Sequence, residues 1–167
     1  MSNEKQSNPL FRPMRRNKRQ LSNEVCINIL KNAKRGVLAV SGDNDYPYAL
    51  FVNYVYDEKD NAIYIHGAKE GHKIDSIKRC NKVSFTVHDE GYKKEGDWAY
   101  TLTSVVIFGK AELINDINIT TEKTRNLANR YYPSKDEVEK EIKSGITHVQ
   151  LIKINIEHMS GKTIHEK

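Results

Sequence analysis

The sequence predicts a mainly β fold in which antiparallel strands close into a barrel and helices lie at its edges. Short β-branched segments follow one another with turn residues between them, which is typical of strands joined by hairpins. A second observation is the long strand pattern over 98–113, which contains Gly109 as a bulge or a close backbone approach. Helical patterns occur only around this strand-rich centre, so a barrel is the most economical arrangement.

The first element is a helix that Ser22 caps and Gly36 ends. Its apolar residues recur at helical spacing on one face, so the helix is expected to cover the sheet. They are Val25, Cys26, Ile29, Leu30 and Ala33.

Three strands are predicted next, over 37–41, 47–56 and 62–66. The segments between them, 42–45 and 57–61, are rich in Gly, Asp and Asn, which favour turns. Three antiparallel strands in succession suggest a meander.

A short helix over 71–79 follows the third strand, and Ile74 and Ile77 are expected to pack it inward. The remaining elements are a strand over 82–88, a polar loop over 89–96, the long strand over 98–113, a helix over 119–132, a helix from Pro133-Ser134 to 143, and a closing strand over 147–156.

The basic charge of the chain is concentrated at the N-terminus. Residues 1–20 contain six basic residues and one acid, so this arm accounts for the whole formal net charge of +5. Residues 21–167 are expected to form a single domain. The arm could contact nucleic acid or an acidic membrane. The favoured alternative is that it packs on its own protein or on a partner subunit through Leu10, Phe11 and Met14.

Several classes of function find no support in the sequence. Cys26 and Cys80 lack neighbours at metal-ligand spacing, so they are expected to be buried or idle thiols of a reducing compartment, and no metal site is predicted. The chain has no apolar run for a signal peptide or membrane span, so a cytoplasmic location without membrane contact is expected. No aromatic and basic platform for nucleic acid and no nucleophile–base pair is present.

The run from His66 to Lys73 lies where a short strand gives way to a helix. Helix N-termini bind phosphate because their first N–H groups lack partners and the peptide dipoles place partial positive charge there. Gly67 and Gly71 allow the backbone to turn close to a ligand, and Lys69 and Lys73 add positive charge. The run indicates a phosphorylated cofactor, with a solvated turn as the open alternative.

Four segments resemble the flavin-binding split-barrel family related to pyridoxamine phosphate oxidase, and within it the nitroimidazole-resistance branch. The strongest block is 63–73 with Arg79-Cys80 and Val83-Ser84-Phe85. The others are 11–16, 46–49 with 54–56, and 104–111.

This resemblance implies FMN bound at the interface of a homodimer, with each site drawing residues from both barrels. Lys73 and His72 would meet the phosphate end, and Ser104 would come from the second subunit. The ribityl and phosphate path would be lined by His66, Gly67, Ala68 and Lys69, and the isoalloxazine edge by the strand that contains Ala49, Leu50, Val52, Asn53 and Tyr54.

Four residues and the C-terminal segment depart from the family pattern or keep open roles. Thr103 stands where the branch often has a basic residue, and the C-terminal segment lacks the Trp and Arg of the oxidases, so oxidation of pyridoxamine phosphate is not expected. His72 is the candidate catalytic residue, either donating a proton during reduction or only binding phosphate. Trp98 and Tyr100 either stack near the flavin or belong to the core.

The predicted function is an FMN-dependent oxidoreductase that reduces a small oxidised molecule, such as a 5-nitroimidazole. The alternative is a flavin or haem carrier without turnover, for which an axial ligand among His148, His158 and His165 cannot be chosen from sequence.

Overall fold

A computed structural model describes residues 10–166 as an eight-stranded antiparallel sheet with four helices. The helices are α1 (Asn23–Asn32), α2 (His72–Arg79), α3 (Ile117–Tyr131) and α4 (Lys135–Gly145). The strands are β1 (Gly36–Ser41), β2 (Pro47–Val52), β3 (Val55–Asp57), β4 (Ala62–Ala68), β5 (Lys82–His88), β6 (Tyr92–Lys93), β7 (Tyr100–Ile114) and β8 (Val149–His165).

The strands follow the order β2-β1-β5-β7-β8-β4-β3, and β6 pairs with β7 outside this path. Among the described strands the sheet is not closed, because β2 and β3 each have one unpaired edge. Val52 of β2 and Tyr56 of β3 nevertheless belong to the same buried core, so the sheet curls until its two edges face one interior. This arrangement is a split antiparallel barrel, which confirms the predicted fold class.

The predicted strand over 47–56 is wrong as a single element. β2 pairs with β1, whereas β3 pairs with β4 at the opposite edge of the sheet. The chain crosses between the edges at Asn53 and Tyr54, so the predicted meander is broken between its second and third strands.

Tyr54 holds this crossover in place. Its ring is fully buried against Phe85, with the ring centroids 4.9 Å apart, and its hydroxyl donates a hydrogen bond of 2.6 Å to the Leu30 carbonyl. The Tyr131 hydroxyl accepts from the Tyr54 N–H at 3.1 Å and lies 2.9 Å from the Tyr54 carbonyl. Burial is the main cause that raises the pKa of Tyr54 to about 12, so its hydroxyl remains a donor at neutral pH.

The same cluster satisfies carbonyl groups at the end of α1 and just beyond it. The last carbonyls of a helix lack partners within the helix. Leu30 receives the Tyr54 hydroxyl, and Arg130 donates to Ala33 while its guanidinium stacks over the Tyr54 ring at 4.9 Å. The Tyr131 hydroxyl also lies 2.6 Å from the Lys34 carbonyl. The end of α1, the crossover and the end of α3 are therefore joined as one unit.

Other predicted boundaries differ most clearly at the end of α1 and at the end of β8, whereas the predicted bulge and the helix caps agree with the structure. Gly36 does not end α1, which stops at Asn32; Gly36 instead begins β1. β8 continues to His165, beyond the predicted end at residue 156, because its second half pairs with β7. Gly109 lies at the predicted bulge, where the register between β7 and β8 shifts. The predicted cap at Ser22 is confirmed by a hydrogen bond from the Val25 N–H, and Ser134 caps α4 in the same way by accepting from the Glu137 N–H.

The described part of the basic arm packs on the sheet. Phe11 stacks on His158 with ring centroids 4.7 Å apart and on Phe108 at 5.7 Å, and Gln20 forms a β-bridge with Lys162. Met14 is partly buried, whereas Leu10 is largely exposed. These contacts agree with the interpretation that the arm packs on its own protein. Residues 1–9 of the predicted arm lie outside the described residues.

Both cysteines carry free thiols, with Cys26 buried and Cys80 partly buried. Among the helices of the described chain, none combines the length and apolar character that a membrane crossing requires.

Replacing Tyr131 with Phe is expected to lower the free energy of unfolding by about 1–3 kcal/mol, because the Tyr54 N–H loses its hydrogen-bond partner. Denaturant unfolding of the purified variant measures the change. Tyr132→Phe is the matched control, because Tyr132 is exposed and its change should stay within about 0.5 kcal/mol. Equal effects of the two substitutions would contradict the role assigned to Tyr131.

Candidate functional site

A cleft of about 360 Å³ opens beside the end of β2. It lies between this edge strand, the last residues of β4 and the first turn of α2. Its walls are formed by Arg35, Leu50, Phe51, Val52, Asn53, His66 and Lys73.

One wall of the cleft is the free edge of β2. Four consecutive residues, 50–53, line the cleft, although alternate strand residues point to opposite faces of a sheet. The cleft therefore follows the strand edge. Because β2 pairs only with β1 within residues 10–166, this part of the chain leaves the N–H and C=O groups on its outer edge available to a ligand.

Lys73 provides the main positive charge of the cleft. Its side chain is partly buried and forms no ion pair with any residue between 10 and 166. Burial lowers the pKa of this ammonium group, since the loss of hydration disfavours its charged form. The ammonium nitrogen lies over Gly67, 2.8 Å from the point where a Cβ atom would stand. The absence of a side chain at residue 67 thus allows Lys73 to fold back onto β4.

The first turn of α2 is open to an anion. Gly71 precedes it with φ of +121°, a conformation that L-residues with side chains rarely adopt, and no side chain of residues 10–166 caps the helix. The N–H groups of the first turn therefore lack the side-chain acceptor that Ser22 supplies to α1. Together with Lys73, this helix start combines partial and full positive charge at one place.

His66 and Arg35 complete the polar walls. Loss of hydration is the main cause that lowers the pKa of His66, and the positive charge of Lys73 contributes to it. Arg35 adds a second cation, and none of the seven lining residues is acidic. The cleft is thus suited to a ligand with an anionic end.

His72 points elsewhere. Its imidazole stacks on Tyr48 with ring centroids 4.2 Å apart, and its Nε2 accepts a hydrogen bond of 3.3 Å from the Asp43 N–H. The Asp43 carboxylate also lies 3.6 Å from Nε2 and 3.2 Å from Arg79. The structure does not bring His72 into the cleft with Lys73, and its catalytic role stays a prediction.

The predicted site residues divide into two groups. Five of them line the cleft: Leu50, Val52, Asn53, His66 and Lys73. Gly67 lies beneath Lys73, whereas Ala68 and Lys69 are exposed beyond it and Ala49 faces outward on β2. Tyr54 is buried with its hydroxyl and N–H occupied inside the chain, so it offers neither group to a ligand.

Ser104 lies on β7, paired with His88 and Lys162, and does not line the cleft of its own chain. Its predicted contribution across a dimer interface stays a prediction. The core alternative for Trp98 and Tyr100 is wrong, because their side chains are 70% and 43% exposed.

Sequence reasoning did not identify Arg35 or Phe51 as site residues. Arg35 lies in the short connection between α1 and β1, where nothing in its neighbourhood marks a ligand. Phe51 is 78% exposed, which is unusual for an aromatic residue in a strand. This exposure is visible in the structure and could not be found from the sequence.

A surface depression of about 500 Å³ surrounds Lys123 and does not form a comparable site. Burial disfavours the charged Lys123, but hydrogen bonds of 2.8 Å to Asp57 and Asp60 outweigh this effect and raise its pKa. The same bonds lower the pKa of both carboxyl groups. Since cation and anions neutralise one another, this cluster joins α3 to the β3–β4 turn.

Comparisons with known proteins agree with this architecture. A candidate 5-nitroimidazole antibiotic resistance protein from Bacteroides thetaiotaomicron superposes with a TM-score of 0.73 at 20% identity, covering 87% of each chain. An FAD-binding protein from Mesorhizobium loti superposes with a TM-score of 0.64 at 22% identity. The superposition covers 87% of the present chain and 97% of the Mesorhizobium loti protein.

The flavocytochrome of Azotobacter vinelandii gives a TM-score of 0.72 at 20% identity, covering 93% of this chain and 74% of its own. At these identities the likeness establishes the shared fold. No curated protein shows significant sequence similarity to the chain. The family model for pyridoxamine 5'-phosphate oxidase matches residues 22–163, which is most of the chain. The chain therefore belongs to the pyridoxamine 5'-phosphate oxidase family.

Proposed function

We propose that the chain binds FMN in this cleft and uses it to reduce a small oxidised molecule, such as a nitroaromatic compound. The observation that carries the proposal is the partly buried, unpaired Lys73 beside the uncapped start of α2. A phosphate group near pH 7 carries close to two negative charges, so it would satisfy the ammonium group and the free N–H groups together.

The remaining walls fit the rest of this cofactor. Arg35 would add charge at the anionic end, and the free edge of β2 offers alternating donors and acceptors to the polar atoms of a flavin ring. Bound FMN supplies the transfer of reducing equivalents, while the protein binds and orients it. In this proposal His72 is a positioning residue, because its contacts with Tyr48 and Asp43 fix the start of α2.

Structural neighbours support a flavin rather than another phosphorylated ligand. One neighbour is named for FAD binding, one is a flavocytochrome, and one is named for resistance to 5-nitroimidazole antibiotics. The last of these motivates the choice of a nitroaromatic substrate.

We also propose that the protein is a homodimer that pairs through an uncharged face of the sheet. The strand registers place two rows of side chains across the outer side of five strands. Phe51 belongs to this face and to the cleft, so a second copy seated there would reach the cofactor. The uncharged face comprises Phe51, Val37, Thr86, Val106 and Ser160 in one row and Ala49, Ala39, Ser84, Phe108 and His158 in the other.

The second candidate function is a carrier that binds flavin or haem without turnover. Haem is a candidate ligand of such a carrier because one structural neighbour is a flavocytochrome. His158 is stacked against Phe11 and Phe108, so it would have to leave this packing to serve as an axial ligand.

Aerobic purification tests the proposed function. The expected protein is yellow, bleaches on reduction, and releases a ligand with the mass of FMN. With a reduced electron donor it should turn over 2-methyl-5-nitroimidazole many times per active site. Reduction limited to a single turnover would support the carrier, and a colourless protein that does not take up FMN would exclude both flavin functions.

Replacing Lys73 with Met is expected to weaken FMN binding about tenfold to a hundredfold, because a charge-assisted hydrogen bond to phosphate is lost. Quenching of flavin fluorescence measures the affinity. Riboflavin, which lacks the phosphate, should bind the variant and the natural protein equally. Lys78→Met is the control on the same helix, since Lys78 is exposed outside the cleft. An equal loss of riboflavin affinity would contradict a phosphate contact.

Replacing Val106 with Glu is expected to convert the dimer into a monomer, because burying a carboxylate in an uncharged interface is costly. Light scattering after size-exclusion chromatography measures the mass, and flavin absorbance shows whether the cofactor is lost with the partner. Val25→Glu is the control, since Val25 is exposed on α1 outside the uncharged face. A Val106→Glu protein that remains dimeric would show that another surface forms the interface.

A further inference from the structure

The excess positive charge of the protein lies on a surface that the proposed function does not use. Residues 10–20 contain five basic residues and no acid, and the side chains of all five are exposed. None of them forms an ion pair with any residue between 10 and 166. We call this part of the arm, residues 12–19, the cationic segment. Its five cations are Arg12, Arg15, Arg16, Lys18 and Arg19.

The sheet holds the cationic segment in place at both ends. Before the segment, Phe11 stacks on two side chains of the uncharged face. After it, Gln20 forms a β-bridge with Lys162, and the Leu21 N–H donates a hydrogen bond of 2.9 Å to the Gly161 carbonyl. The five charges are therefore presented beside β8, on a segment that is attached to the protein on either side of them.

A row of neighbouring residues leads from this segment to the cleft. Lys162 on β8 pairs with Ser104 on β7, and Ser104 pairs with His88 at the end of β5. Extending the register between β1 and β5 by two residues places Arg35 opposite His88, and Arg35 lines the cleft. Three strand spacings separate the backbones of Lys162 and Arg35, which is about 14 Å. None of the four residues in this row is acidic.

We propose that the cationic segment docks the electron donor of the protein, and that this donor is a small acidic protein that carries one electron. The inference rests on the proposed function, because a donor is needed only if the cleft holds a flavin. A standard interface covers about 800 Å² of each partner, a patch about 30 Å across, so one docked protein would cover the segment and the row up to the cleft. Opposite charges also steer two such proteins together and raise their association rate.

The electrons balance with two donor molecules for each flavin. Each reduced donor gives up one electron and is oxidised once, and solvent supplies two protons. Two encounters therefore convert one bound flavin into its two-electron-reduced form, and no other reductant is needed.

The form of this surface favours a protein over other anionic partners. The five cations lie open over eight consecutive residues and none of them lines the cleft, whereas a small donor such as a nicotinamide dinucleotide needs a pocket. Nucleic acid is the other macromolecule that a basic surface attracts. Phe11 is the one aromatic residue between 10 and 20 and is already stacked within the chain, so the segment offers no free ring to a base.

Rapid mixing of the full-length, flavin-loaded protein with a reduced donor tests the inference. The probe is a plant-type two-iron ferredoxin, an acidic protein that carries one electron. Bleaching of the flavin absorbance gives the second-order rate constant of reduction. In the combined variant Arg12→Gln, Arg15→Gln and Arg16→Gln this constant should fall at least about tenfold. Raising the salt concentration from about 0.05 M to about 0.5 M should slow the natural protein strongly and this variant little, because salt screens the attraction.

The matched control removes the same number of charges from another surface. Lys135, Lys140 and Lys143 on α4 are exposed and form no ion pair within residues 10–166. Replacing all three with Gln should leave the rate constant within about twofold of the natural value, because these charges lie outside the cationic segment. Complete bleaching by dithionite shows that each protein still holds a reducible flavin.

An unchanged rate constant in the triple arginine variant would overturn the proposal, and so would an equal loss in the α4 control. Reduction by NADH or NADPH that is as fast as reduction by ferredoxin, and equal in the natural protein and the arginine variant, would show that the donor is a small molecule. Salt-dependent binding of a 20-base-pair DNA that disappears in the arginine variant, with ferredoxin reduction unchanged, would assign the segment to nucleic acid instead. Failure of the proposed function is distinguishable: a natural protein that takes up no FMN refutes the cofactor assignment, whereas one that bleaches with dithionite but not with reduced ferredoxin refutes the donor alone.

Discussion

The buried position of Tyr54 is the constraint on which the rest of the structure depends. At this residue the chain passes from one edge of the open sheet to the other, and both sides of the passage are fixed by hydrogen bonds to Leu30 and Tyr131. The end of β2 and the connection that carries Arg35 are positioned by the same cluster. The cleft lies beside this crossover. Its shape therefore depends on packing between buried residues that do not themselves contact a ligand.

Two lysines show how the same charge serves different purposes in one chain. Lys123 is enclosed by Asp57 and Asp60, and its charge is used to attach α3 to the turn below it. Lys73 is also partly removed from water, yet no anion of the described chain neutralises it. Partial burial without a counter-charge is unfavourable in a protein that never meets an anion. This contrast is the physical reason to assign ligand binding to Lys73.

The sequence predicts the local features and misses those that depend on distant contacts. β5, α2 and the bulge at Gly109 agree with expectation because periodicity and glycine placement determine them. The break between β2 and β3 after Val52 cannot be detected in the sequence. Val52, Tyr54 and Tyr56 are all buried, so the alternating apolar pattern of a strand continues across the break. The second half of β8 is a strand because β7 pairs with it. At the site, Lys73 is predictable from its place at a helix start, but neighbouring helical residues point about 100° apart. Sequence alone therefore could not show that His72 faces Asp43.

The length of β8 has a consequence for how this protein is made. β8 pairs with β4 over residues 149–155 and with β7 up to His165, so it joins the two parts of the sheet. On the ribosome, β4 emerges well before β8. Its side chains Ile63 and Ile65, which are buried in the finished protein, therefore stay uncovered until β8 has been synthesised. Folds dominated by such distant pairings mature slowly and expose apolar surface meanwhile. Biosynthesis, rather than the stability of the finished molecule, is then the stage at which this protein is most exposed to aggregation and to chaperone binding.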